Sequence, residues 1–454
     1  MDVPQEVIDK IEAGYEKLRA EPDCDTLLKT YLIRDVLDAC KDKRNKFGAT
    51  FLDVIQPGVD NPTSGVGVYA PDAEAYTLFK PLFDPIIEAS HDGFGPNSKQ
   101  PATDFSERKT QLLMDLDPEV KFIESTCIRC GRSLKGYPFN PFLTKEMYVE
   151  IESKAKAVFE QLKSDAELGG TYYPIEGMAN DVQNQLIADH LLFKEGDLFL
   201  QQANAYCHWP TGRGIFHNAK KSFLVWVNEE DHIRIISMQN GGNVGQVLER
   251  LIKGVRAIES KVTFLRDDRL GWFCPSNLGT AVRASVLIRL PKISEDDNIF
   301  KGLCGDLKLD ARGIHGEHSE SADGVYDISN KVRLGLTEFD AVKLMYDGQT
   351  AKRHPLSGAD RYFNDRLTNR AFEPANASLA FPRICNAAQC LKREEKHLEM
   401  PKDQLNGQIE QIVLQQNVQF VLHTLFYLIA KHSLGIEHAN FVAQCHCLHQ
   451  RRVK

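Results

Sequence analysis

The chain has 454 residues, 42% of them hydrophobic, and a formal net charge of −8. That length supports two domains with substantial cores, and the acidic balance gives no reason to expect a nucleic-acid partner. A strongly apolar run, Phe420–Ala430, falls well short of the roughly 20 residues that span a bilayer, so no membrane association is expected.

The first residues, Met1-Asp2-Val3-Pro4-Gln5-Glu6, lack the basic stretch and apolar core of a secretory signal. Eleven cysteines without framework spacing read as reduced thiols. Both features point to a cytoplasmic home. Residues 1–97 read as mainly helical, with periodic apolar positions such as those over Leu27–Cys40. A passage rich in glycine, proline and serine near Phe94–Pro101 opens a linker over 98–119. From 120 to 350 strands alternate with helices, the helices including Lys145–Lys163 and Gly245–Ser260. A short strand, Ser125–Arg132, carries Cys127 and Arg129 on one face. Two more, Ser222–Val227 and His232–Met238, flank the acidic turn Asn228-Glu229-Glu230-Asp231, and Arg234 shares a side with Ile236 and Met238. The run Cys274-Pro275-Ser276-Asn277-Leu278-Gly279-Thr280 leads into a strand with Val282, Ala284, Val286, Ile288 and Leu290 on one side. Arg283, Ser285 and Arg289 lie on the other side. Arg312–Glu320 is a glycine-punctuated loop rich in titratable groups, the kind of segment that commonly carries function.

Arginines and carboxylates spread over four such segments suggest a site for a polyphosphate and a cation, since the guanidinium fork suits phosphate better than a lysine does. Each segment alone is equally explained as a solvated strand or turn, and Cys274 alone as a buried structural thiol.

The segments together resemble the phosphagen (ATP:guanidino) kinase family, closest to its invertebrate arginine kinases. The resemblance runs from about Tyr31 to Gly348. It includes Leu52–Gln56, Tyr69–Tyr76, Gly136-Tyr137-Pro138-Phe139-Asn140-Pro141, Gly324–Asn330 and the Cys-Pro-Ser-Asn-Leu-Gly-Thr run. It implies an α+β fold, with a small all-helical N-terminal domain followed by a larger catalytic domain whose antiparallel sheet is flanked by helices. It also implies reversible transfer of the γ-phosphoryl of MgATP to the guanidino group of L-arginine, with Mg²⁺ carried by the nucleotide and no protein metal site. By the same resemblance, Ser125, Arg129, His190, Arg234, Arg283 and Arg312 contact ATP or ADP. Glu230 and Glu317 grip the guanidinium, and Cys274 lies beside it, as a thiolate favoured by nearby positive charge. Ser64, Gly65, Val66, Gly67 and Tyr69 belong to the loop that reads the amino-acid end of the substrate.

Several positions depart from the family pattern. Cys127 stands where the family has a further phosphate-binding arginine, and Leu287 where a nucleotide-contacting histidine is usual. Thr63 and Leu198 replace an aspartate and an arginine that tie the two domains on closing. The segment before Cys274 is two residues short. Removing one preorganised charge-stabilising group costs roughly 10²–10³ in rate, so a weak or inactive relative serving as a nucleotide- or arginine-binding protein stays open as the alternative. Cys127-x-x-Cys130 reads as incidental. After Gly348 the resemblance stops. Residues 351–454 hold 14 Lys/Arg against 9 Asp/Glu, whereas the rest of the chain holds 41 against 54. This atypical extension reads as a basic segment that docks or binds an anionic partner, as a disordered one, or as a misassigned gene end. Its cluster Cys445, His446, Cys447 and His449 lacks a standard zinc spacing. The oligomeric state is not legible.

Overall fold

The computed structural model describes residues 2–189, 191–193, 195–196, 198–265, 271–290, 297–313 and 324–350. His190, Glu317, the side chain of Leu198 and the whole extension from 351 lie outside the described residues.

Six helices form the N-terminal part: α1 (Gln5–Ala20), α2 (Leu27–Tyr31), α3 (Arg34–Cys40), α4 (Phe51–Asp60), α5 (Ala75–Leu78) and α6 (Lys80–Ser90). The periodic apolar stretch Leu27–Cys40 folds as two helices, because Leu32 and the extended Ile33 leave helical geometry between α2 and α3. At the start of α4 the Asp53 carboxylate accepts the Thr50 N–H at 2.7 Å, which satisfies a donor the helix cannot pair internally. Ile11, Leu28, Val54, Ile55, Leu82, Phe83 and Ile86 meet in a core with essentially no exposure. Phe139, Trp272, Phe273, Leu278 and Leu334 of the following domain join the same core.

After α7 (Glu107–Thr110) the chain builds β1 (Ile123–Arg132), α8 (Lys145–Leu162), β2 (Gly170–Pro174), α9 (Asn180–Ala188) and α10 (Leu198–Gln202). It continues through β3 (Gly214–Asn218), β4 (Phe223–Val227), β5 (Ile233–Asn240), α11 (Val244–Glu259), β6 (Val282–Arg289), α12 (Asp297–Asp306), β7 (Leu309–Arg312), β8 (Val325–Asn330) and α13 (Glu338–Thr350). The strands form an eight-stranded sheet of order β2-β3-β4-β5-β1-β6-β8-β7, with every neighbouring pair antiparallel. The architecture is therefore a small helical domain followed by a larger α+β domain with an antiparallel sheet.

Side-chain alternation divides that sheet into two unlike faces. Ile128, Cys130, Phe223, Ile235, Ala284 and Val286 are fully buried on one face, beneath α8, α11 and α13. α11 carries Val247, Leu248, Leu251, Ile252, Val255 and Ile258 at helical spacing, all buried. It rests so close to the sheet that a Cβ on Gly254 would stand 2.2 Å from the Phe223 ring. On the other face lie Cys127 and Arg129 of β1, Arg234 of β5, Arg283 of β6 and Arg312 of β7. Cys127 and Cys130 therefore face opposite sides. No helix among the described residues is long and apolar enough to cross a membrane.

Two histidines are locked neutral in this frame. His91 follows α6 and His232 opens β5. Burial pushes each down to about 4, although each donates to a backbone carbonyl. An unfolded histidine titrates near 6.5, so between about pH 6.5 and 4 the unfolded chain binds more protons than the folded one. Stability therefore falls as the pH drops through that window, by on the order of 2–3 kcal/mol per histidine. Thermal melts between pH 7.5 and 4.5 are expected to show this decline, with a shallower slope for His91→Gln.

Candidate active site

Register brings the arginines of the open face together. Arg129 of β1 lies directly opposite Arg283 of β6, and Arg234 of β5 opposite Gly131 of β1. Directly opposed side chains on an antiparallel pair start about 5 Å apart, and like charges there repel. Burial, with Arg283 and Arg234 close by, pushes the Arg129 guanidinium down to about 9, so it stays charged at neutral pH but is poorly compensated. Arg283 donates to Asp327 Oδ2 of β8 at 2.7 Å, and Arg312 pairs with Asp310 at 2.5 Å. Ser125 and Leu287 face each other across β1 and β6 on the same side.

Arg333 joins this group although nothing in its local sequence marks it. It follows β8 in an irregular turn, bonds Asn277, and is pushed down to about 10 by burial and by Arg283 and Arg312. Glu230 and Cys274 act on it in the opposite direction. It therefore sits between the arginine face and the acid–thiol pair.

The acidic turn between β4 and β5 supplies the opposite charge. Arg234 bonds Glu230 and lies 3.1 Å from Glu229. Burial works against the charged Arg234, but Glu229 and Glu230 more than offset it and hold the guanidinium firmly protonated. Burial raises the Glu229 carboxyl. Burial and Glu230 push Asp231 up to about 7.

Cys274 is held from the helical domain. The Tyr76 hydroxyl donates to the Trp272 carbonyl at 2.8 Å, the Ala70 N–H to Phe273 O at 2.8 Å, and His91 Nε2 to Pro275 O at 2.8 Å. Tyr69 stacks on Phe273 with ring centroids 4.6 Å apart. The Cys274 thiol lies 3.1 Å from the Ser276 hydroxyl. Burial and then the Glu230 carboxylate push it up to about 12. In this arrangement burial and Glu230 favour the thiol over the thiolate that the resemblance implies, while Ser276 and Arg333 act the other way.

The loop that ends at Tyr69 runs into the same clasp. Gly65 and Val66 accept the N–H groups of Leu27 and Leu28 at 3.1 and 3.0 Å, and the Ser64 hydroxyl accepts the Gly67 N–H at 3.1 Å. Gly67 has φ +79°, and a Cβ on Gly58 of α4 would stand 2.2 Å from its carbonyl, so both glycines are needed for this close approach. Thr63 is exposed, and its hydroxyl donates to Asn61 Oδ1 at 2.6 Å.

A second, apolar region covers the β3–β5 side of the open face. Leu186, Leu191 and Phe193 pack on Ile215, Leu224 and Ile236, with Cys127, Trp226 and Met238 at the edge. Cys127 thus belongs to the rim of an apolar patch, and burial raises its thiol. No group of three or more metal-ligating side chains occurs among the described residues.

A guanidinium-lined sheet face beside a carboxylate turn and a cysteine is the equipment of a phosphoryl-transfer enzyme, which works by positioning and charge stabilisation. The sequence pattern of the ATP:guanido phosphotransferase N-terminal domain matches residues 22–88, and that of the C-terminal catalytic domain matches residues 150–351. The chain belongs to this family of guanidino phosphotransferases. It is 67% identical over 350 residues to a Caenorhabditis elegans protein named probable arginine kinase, an alignment that covers 77% of this chain and 88% of that one. It is 57% identical to the arginine kinase of Polybetes pythagoricus, over 76% of this chain and 96% of that one. The substrate-free duplicated taurocyamine kinase of Schistosoma mansoni has a similar structure, with a TM-score of 0.69 at 40% identity. That match covers 75% of this chain and 48% of the duplicated one.

The crowding of Arg129, Arg234, Arg283 and Arg333 gives a direct test. A bound polyphosphate relieves it and stabilises the fold by about 2.7 kcal/mol at a hundred times its Kd. Pyrophosphate or ADP is expected to raise the melting temperature of the wild-type chain. Arg129→Met is expected to melt no lower than wild type without ligand and to lose most of the ligand-induced rise. A wild-type melt indifferent to both anions would refute the anion-binding reading.

Proposed function

We propose that the chain transfers the γ-phosphoryl of MgATP, reversibly, to the guanidino group of L-arginine, giving phosphoarginine and ADP. The observation that carries the reading is the adjacency of the Arg129–Arg283 pair to Arg234 with its carboxylates Glu229 and Glu230. This places anion-binding and cation-binding groups on neighbouring strands. Identity of 57–67% to relatives named arginine kinases supports arginine as the acceptor, as does the Ser64, Gly65, Val66, Gly67 and Tyr69 loop leaning on Phe273.

In this reading Ser125, Arg129, Arg283 and Arg312 hold the nucleotide, with His190 beside it, and Mg²⁺ arrives on the phosphates. Arg234 couples the phosphate face to Glu230. Glu230 and Glu317 align the substrate guanidinium in line with the γ-phosphorus. As the N–P bond forms and the bond from phosphorus to the β–γ bridging oxygen breaks, one carboxylate accepts the guanidinium proton and ADP departs. A cation lodged between Glu230 and Cys274 favours the charged form of both, which reverses the balance that keeps the free thiol neutral. Residues 1–97, 98–119 and 120–350 serve as helical domain, linker and catalytic domain, and the enzyme works in the cytoplasm.

A coupled ADP-release assay with MgATP and L-arginine tests the reading. Arginine-dependent turnover is expected, falling at least a hundredfold in Glu230→Gln. Faster turnover on taurocyamine than on arginine would change the acceptor and keep the class, whereas no turnover on either would refute the reading.

Cys127 sets the expected pace. Cys127→Arg adds a guanidinium at the rim of the phosphate face, and a gain of about tenfold or more in kcat/KM for ATP is expected from one added charge-stabilising group. An unchanged or lower value would show that the apolar rim leaves that charge no room.

A further inference from the structure

The stretch Gly136–Pro141 was singled out in the sequence, yet none of its residues enters the mechanism above. Asn140 within it has no exposed surface. We infer that Asn140 is a positioning residue for Glu230: its carboxamide fixes the acidic turn where the Glu230 carboxylate meets both Arg234 and, resting on the function proposed above, the substrate guanidinium.

The geometry is specific. Asn140 Nδ2 donates to the carbonyls of Glu229 and Glu230, the latter at 3.1 Å. Both partners are acceptors, so the amino end of the amide must face them. The Oδ1 end is buried without a hydrogen-bond partner among the described residues. Asn140 is itself pinned, because its backbone carbonyl accepts the Tyr148 hydroxyl at 2.8 Å and the Cys207 thiol at 3.1 Å. A second carboxamide holds the start of the turn. Asn228 has φ +56°, and its Nδ2 donates to Gly212 O at 2.8 Å and Tyr148 O at 3.3 Å.

Such anchoring answers an electrostatic need. Glu229, Glu230 and Asp231 are consecutive carboxylates in a buried turn, and each raises the cost of charging another. A free turn would rotate its peptides to spread them. Asn140 grips the two peptide carbonyls in the middle of the turn, so the side chains cannot separate without breaking both bonds. Supporting contacts of this type decide whether a site residue is held closely enough to act.

Asn140→Asp is nearly isosteric and turns the donor into an acceptor facing two carbonyl oxygens, while Asn140→Ala removes the amide. Three measurements on the purified full chain separate positioning from general support: arginine-dependent turnover, ADP affinity by calorimetry without arginine, and hydrogen exchange of the peptide spanning 228–232. Both variants are expected to lose 10- to 100-fold in kcat, to keep ADP affinity within twofold, and to exchange several-fold faster in that peptide. Tyr148→Phe removes the hydroxyl that pins Asn140. It is expected to lower kcat two- to fivefold with ADP affinity unchanged, and it carries the test if the Asn140 variants do not fold. The inference is overturned if a folded Asn140 variant, or Tyr148→Phe in their absence, keeps wild-type kcat. It is also overturned if kcat and ADP affinity fall together. A wild-type chain without turnover would refute the proposed function instead. Exchange in 228–232 would then decide alone, an unchanged rate overturning the anchoring.

Discussion

Positive charge on the open face of the sheet has to be held together without an equal supply of carboxylates around it. Arg129 and Arg283 oppose each other across β1 and β6, and burial denies them water. Asp327 of β8 answers Arg283 and Asp310 of β7 answers Arg312, both on the same face as the arginines. Glu229 and Glu230 answer Arg234 from the turn. Arg129 has weaker compensation, and its lowered affinity for a proton records that shortage. A fold that keeps such a deficit spends stability on it, and an anionic ligand with several oxygens recovers that stability by displacing little except water. Placing the guanidiniums on a sheet packed beneath α8, α11 and α13 holds the strands that carry them in register.

The same constraint explains why the helical domain reaches so far into the catalytic one. The carbonyls of Trp272, Phe273 and Pro275 flank Cys274, and the donors that satisfy them come from Tyr76, Ala70 and His91. A segment adjoining a crowded charge cluster cannot leave its carbonyls unpaired without a cost of about 1–3 kcal/mol each. The donors therefore serve as scaffold as well as domain contact. Tyr69, which ends the loop 64–69, stacks on Phe273, so the loop and the cysteine segment are in direct contact.

The parts of this arrangement that depend on local periodicity were legible in the sequence. The two-residue alternation put Cys127 with Arg129 and separated Arg283 from Val282 and Ala284, and the strands carry them so. Lys145–Lys163 differs from α8 by one residue at its end, and Gly245–Ser260 from α11 by one residue at each end, because apolar spacing fixes a helix more firmly than its caps. Over Leu27–Cys40 the apolar pattern marks a helical region, yet it continues through Leu32 and Ile33, where the backbone leaves the helix. What needed the fold was register. Nothing local says that Arg129 opposes Arg283, that Arg333 comes round to join them, or that His91 closes on Pro275. The upward push on the Cys274 thiol was illegible for the same reason, because it comes first from burial and then from Glu230, 44 positions away in the chain.

The apolar rim gives this site its individual character. Leu186, Leu191 and Phe193 cover the β3–β5 side of the open face, and Trp226 donates its indole N–H to the Leu191 carbonyl at 3.0 Å. Cys127 lies where that patch meets Arg129. A side chain there with no charge leaves Arg129 one like-charged neighbour fewer, which lessens the repulsion the sheet must contain. It also removes one donor from the phosphate face. A charged side chain at position 127 would add both to the repulsion around Arg129 and to the positive charge on the face, so the two effects oppose each other there. Arg234, Arg283 and Arg312 have carboxylate partners of their own, and none of these pairs involves position 127.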